Sequence, residues 1–149
     1  MDINNFQRIG SVSNAHAGND FEEIARKFFA EHGISLTRNF VVPVGIGSLK
    51  KDHRFDLGAR DPATVVECKS HTWTQAGNTP SAKLTVWNEA MYYFHLAPRE
   101  FRKVFFVLKH LRREMSLASY YLANYRHLIP DDVEMWEYCT DKRQGNRIR

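Results

Sequence analysis

The 149-residue sequence predicts an α/β domain, and three observations carry that reading. Phe21, Ile24, Ala25, Phe28 and Phe29 recur at helical spacing, as do Leu84, Trp87, Met91 and Phe94 further along. Between them lie stretches rich in β-branched and alternating residues, at 41–46 and 55–69. Val104-Phe105-Phe106-Val107-Leu108 is a continuous apolar run, the pattern of a strand covered on both faces. At 43% hydrophobic and 13% aromatic residues, a chain of this length builds one domain with its own core.

Residues 1–17 show no sustained period and read as a flexible arm. The first helix begins near Asn19 or Asp20, both good N-caps, and Gly33 is placed to end it in a left-handed conformation. The first strand covers about 36–46. Pro43 cannot donate to a ladder and puts that strand at an edge or a bulge. Gly45-Ile46-Gly47-Ser48 and then Lys50-Lys51-Asp52-His53-Arg54 form a flexible basic hairpin tip. Two strands follow at roughly 53–59 and 63–69, joined by the turn Arg60-Asp61-Pro62-Ala63. The polar loop from Ser70 to Pro80 carries an exposed-looking Trp73, for which packing over the core is favoured over base stacking.

A helix starts near Ser81. After the 104–108 strand, Ser116 caps a further helix running to about Leu128. Its aromatic residues either cover the sheet or serve a subunit interface. Val133 to Cys139 reads as a last, edge-like strand. The domain proper thus spans 18–140. Residues 141–149 form a basic tail, in which Lys142, Arg143, Arg147 and Arg149 face only Asp141; it is either solvated or a phosphate-contacting arm.

Chemistry concentrates at 55–70. Residues two apart in a strand share a face, so Glu67 and Lys69 project together while Val66 and Cys68 pack the other way. On the preceding strand Phe55 and Leu57 point inward and leave Asp56 on the opposite side. Folding the hairpin brings Asp56 near Glu67. Such a cluster reads in two ways. A solvated face with a cross-strand ion pair contributes about 0–1 kcal/mol. A hard-cation site uses the same carboxylates for Mg²⁺ or Mn²⁺, with the lysine orienting or deprotonating a water and neutralising charge on a phosphoryl group.

Composition narrows the classes. A net charge of +4 suits a polyanionic partner. There is no Ser-His-Asp arrangement, P-loop or dinucleotide glycine fingerprint, hence no nucleotide cofactor is expected. No apolar run approaches the roughly 20 residues of a membrane helix, and no signal-peptide layout opens the chain. Cys68 and Cys139 lack metal or redox spacing and read as small buried hydrophobes in a cytoplasmic protein.

Phe55-Asp56 followed by Glu67-Cys68-Lys69 resembles the PD-(D/E)xK nuclease superfamily, the restriction-endonuclease-like fold that also includes archaeal-type Holliday junction resolvases. Phe55 stands where the family name has proline. Gly18-Asn19-Asp20-Phe21-Glu22-Glu23-Ile24 looks like the family's N-terminal helix with its additional acid. The resemblance covers most of the chain and implies an αβββαβ core, a central mixed sheet flanked by helices. It implies a metal-dependent DNA endonuclease of restriction, resolvase or repair type. Asp56, Glu67 and the main-chain carbonyl of Cys68 would hold Mg²⁺, with Mn²⁺ as a substitute. Lys69 would position the water, and Glu22 would act on the same ion or a second one, with Glu23 its nearest rival.

Lys50, Lys51, Arg54, Ser70, His71 and Lys83 are candidate DNA contacts. His53 and His71 are rival general bases and stand outside the catalytic set. The expected partners are duplex or branched DNA and a second copy of the chain in a homodimer. The competing reading is a non-catalytic DNA-binding or assembly module that keeps the fold. A third is an unrelated α/β domain with a surface ion pair.

Overall fold

The computed structural model describes residues 18–149; the arm expected at 1–17 lies outside them. Helix α1 (residues 18–31) carries Phe21, Ala25, Phe28 and Phe29 inward. It ends as Gly33 predicted. That residue has φ +82°, Ile34 N–H donates to the Phe29 carbonyl and Gly33 N–H to the Ala30 carbonyl. These two bonds satisfy carbonyls that the last turn would otherwise leave open.

The remaining elements are β1 (Thr37–Val44), β2 (Lys51–Arg60), β3 (Ala63–Lys69), α2 (Ser81–Leu96), β4 (Arg102–Leu108), β5 (Leu111–Arg112), β6 (Met115–Ser116), α3 (Leu117–Tyr125) with a 3₁₀ turn at Arg126–Leu128, β7 (Val133–Cys139) and β8 (Gln144–Arg147). Six strands form one mixed sheet in the order β1-β2-β3-β4-β7-β8. β3, β4 and β7 run parallel, and the outer pairs are antiparallel. The small β5–β6 ribbon stands apart.

The sheet separates two apolar layers. On one face α1 packs against Leu57, Val66, Cys68, Val104 and Phe106. Phe21, Phe28 and Phe29 place their rings 5.4, 5.5 and 5.7 Å from that of Phe106. On the other, α2 and α3 cover Phe55, Val65, Phe105, Val107 and Met135. β4 is buried from both sides, as its unbroken apolar run requires. Each fully covered Phe or Leu in these layers contributes about 1.5–3 kcal/mol relative to exposure.

Pro43 lies in β1, an edge strand, where its missing N–H leaves no gap in the ladder. Ser116 caps α3 by accepting from Ser119 N–H. The aromatic residues of α3 cover the sheet: Tyr121 is fully buried and Tyr120 packs against Trp73. Trp73 itself is buried, with the Arg112 guanidinium 3.7 Å from its ring centroid. It is a packing residue and not an exposed one.

The basic tail is a correction. Gln144–Arg147 pairs antiparallel with β7, Ile148 packs on the core, and Arg149 donates to the carbonyls of Pro130 and Val133. β8, not β7, is therefore the edge. Charged side chains say nothing about backbone pairing, and here they hid it. Gly145 lets the Phe28 ring lie against the strand, where an added Cβ would come within 2.7 Å of it. Among the described residues, no helix is long and apolar enough to cross a membrane.

Candidate active site

The candidate site forms where β1 and β2 turn over. Arg38 pairs with Leu57 and Phe40 with Phe55, flanking Asn39 and Asp56. Leu57 and Ala59 face α1, whereas Phe55 faces α2 and stacks on Phe94. The chain through β1 does the same: Leu36, just before the strand, faces α1, and Val42 and Val44 face α2. A regular pleat would keep 55 and 57 on one face. Asn39, at φ 54°, breaks the alternation. The expectation that Phe55 and Leu57 point the same way is thus corrected. Both are buried, but in different layers, and Asp56 sits at the crossing.

β3 stays regular. Glu67 and Lys69 project to the α2 face and Val66 and Cys68 to the α1 face, as the period-two reading required. The β2–β3 ladder runs from Arg60↔Ala63 to Leu57↔Val66 and stops there, although both strands continue. Beyond that point the Asp56 carboxylate takes over, its Oδ2 accepting the Cys68 N–H at 2.8 Å. The bond fixes Asp56 beside the Glu67–Cys68–Lys69 backbone.

Glu67 is 7% exposed. Lys69 Nζ lies 3.4 Å from its Oε2, and His53 Nε2 lies 3.9 Å from its Oε1. Burial, then repulsion from Glu67, push the Asp56 carboxyl up to about 7; Glu22 adds to the rise, while the Cys68 N–H and Lys69 oppose it. Burial and the same three carboxylates push the Cys68 thiol well up, so it stays protonated and unreactive. Glu22 accepts from Arg38 Nη2 at 2.6 Å. Glu23 turns instead to Arg26, at 2.6 and 2.9 Å. Of the two helix acids, Glu22 is the one whose charge bears on Asp56.

A buried carboxylate crowded by a second one is relieved by a divalent cation, and Asp56 beside Glu67 is such a donor set. Asp56, Glu67 and the Cys68 carbonyl supply oxygens of the type Mg²⁺ prefers, and Mg²⁺ usually keeps several waters on one or two carboxylates. Among the described residues, no group of three His, Cys, Asp or Glu side chains is spaced to hold an ion unaided. The residues fit a partly hydrated cation rather than a closed protein cage.

The candidate DNA contacts are scattered. Lys50 donates to the Gly45 carbonyl at 2.8 Å and closes its own turn. Lys51 and Arg54 are exposed on β2, Ser70 is half-buried just past β3, and Lys83 is exposed in the first turn of α2. His71 accepts from Trp87 Nε1 at 2.8 Å. Sequence reasoning left His53 aside. The structure stacks it on Tyr93, with centroids 3.6 Å apart and an 11° tilt, and brings it to Glu67. Arg38 and Tyr93 were missed. Their roles arise from strand register and helix docking, for which the local sequence carries no signal.

In comparisons with known proteins, no family model matches the chain, and no match was found to a curated protein or a solved structure. The chain is an α/β domain with a mixed six-stranded sheet between helices.

Proposed function

We propose that the chain is a metal-dependent DNA endonuclease with a restriction-endonuclease-like core. The observation that carries this reading is the convergence of Asp56, Glu67 and Lys69 where the β2–β3 ladder ends, with the Asp56 carboxylate fixed by the Cys68 N–H. Asp56, Glu67 and the Cys68 carbonyl would hold Mg²⁺ or Mn²⁺. Such an ion, when bound, lowers the pKa of a coordinated water and draws charge from a phosphoryl oxygen.

The chain's own groups do the rest. Lys69, held by Glu67, orients the attacking water and stands by the phosphate as negative charge grows. Glu22, held by Arg38, adds negative charge on the α1 side of Asp56. His53, wedged between Tyr93 and Phe55, fixes the far side of Glu67. Duplex or branched DNA is the proposed substrate, and a homodimer is the form that would cut both strands.

One observation favours the non-catalytic module: three protein side chains do not by themselves enclose an ion among the described residues. The test is incubation of the purified full chain with duplex, branched and single-stranded DNA, with and without Mg²⁺. Mg²⁺-dependent cutting that falls by at least about a hundredfold in Lys69→Met supports the nuclease. Wild-type cutting by Lys69→Met, or DNA binding without cutting across the panel, rejects it.

A further inference from the structure

His71 lies two residues past Lys69, where the chain leaves β3, and its ring meets α2. Trp87 Nε1 donates to His71 Nδ1 at 2.8 Å, and the rings lie 25° apart in tilt with centroids at 6.3 Å. An indole nitrogen only donates. The Nδ1 facing it must therefore present a lone pair, and in a neutral imidazole the proton then resides on Nε2. Trp87 cannot swing away to release this choice. It is fully buried, with the rings of Phe105 and Tyr121 at 5.3 and 5.1 Å.

Lys83 lies four residues before Trp87, on the same side of α2 and one turn nearer its start. Burial first, and then the two charged groups that bear on the His71 ring, the cations Lys69 and Lys83, push its pKa down to about 4. Protonating Nδ1 would also break the bond to Trp87. The half-buried ring therefore keeps one permanent N–H, with the charges of Lys69 and Lys83 acting on it.

We propose that His71 is a tautomer-locked hydrogen-bond donor that, together with Lys83, grips a substrate phosphate beside the one Lys69 serves. It is a binding residue and not a general base, because the lone pair a base needs at Nε2 is absent in this tautomer. The ligand class rests on the nuclease reading above. A phosphodiester is the group in such a substrate that takes a neutral N–H and a cation at once.

Two measurements test this. Long-range ¹H–¹⁵N spectra of the full chain should show His71 protonated at Nε2 and bare at Nδ1 down to about pH 5.5. A proton on Nδ1 there would overturn the lock. Binding of a fluorescent DNA duplex without divalent ions should be kept within about twofold in His71→Gln, which retains an N–H donor, and weakened about tenfold in His71→Phe and Lys83→Met. Lys83→Met covers the case in which His71→Phe does not fold. Wild-type DNA binding that survives both losses overturns the subsite alone. A wild-type chain that holds no DNA overturns the nuclease reading and this subsite with it.

Discussion

Replacing Asp56 with asparagine should stabilise the metal-free protein at pH 8 and have much less effect at pH 4.5. The ordinary value for the carboxyl is 3.8, and in the folded state it titrates near 7. Well below pH 3.8 it is protonated in both states and folding is not penalised. Between the two values the folded state holds a proton that the unfolded chain has released, so stability falls as pH rises. Above pH 7 the folded state must carry the charge, and the full penalty applies. A shift of about three units, at about 1.4 kcal/mol each, gives roughly 4 kcal/mol. At pH 4.5 the same relation leaves about 1 kcal/mol.

Asparagine removes the charge but keeps an oxygen to accept the Cys68 N–H. Asp56 is only partly buried, so solvent screening reduces that figure. A net gain of about 2 kcal/mol at pH 8 is the expected result, or roughly 4–8 °C in Tm for a chain of this size. Urea denaturation followed by tryptophan fluorescence at pH 4.5, 6 and 8 measures it. If Asp56→Asn is no more stable than wild type at pH 8, or if the gap does not change with pH, the crowded-carboxylate reasoning is wrong.

Two further perturbations address the frame around the site. A Cβ at Gly58 would lie 2.3 Å from the Phe40 ring, which crosses the strand just beside the turnover. Gly58→Ala should therefore cost about 1–3 kcal/mol in a urea melt, and a neutral result would mean that Phe40 can move aside. Truncation after Thr140 removes β8 and the Arg149 bonds to Pro130 and Val133. It should lower the urea midpoint clearly, whereas a merely solvated tail would leave it unchanged.

Much of the fold was legible because its periods are local. The stripe through Phe21 and Phe29, the stripe through Leu84 and Phe94, and the 104–108 run each state their burial within a dozen residues. So did the Gly33 helix end and the Ser116 cap. Glu67 and Lys69 were placed correctly because β3 keeps its pleat. Asp56 was found by spacing, but its orientation was not readable. The turnover depends on Asn39, seventeen residues earlier, and on the pairing of two strands. Strand β8 was hidden by its charges, and Arg38, Tyr93 and the His53 stack depend on contacts between distant segments.

Titration of the purified chain with Mn²⁺, read by electron paramagnetic resonance of the free ion, examines the two-carboxylate centre with no substrate involved. Saturable uptake by the wild-type protein is expected, displaced by Mg²⁺ and lost in both Asp56→Asn and Glu67→Gln. Uptake that persists unchanged in those two variants, or no uptake by the wild type at millimolar ion, would contradict the two-carboxylate centre.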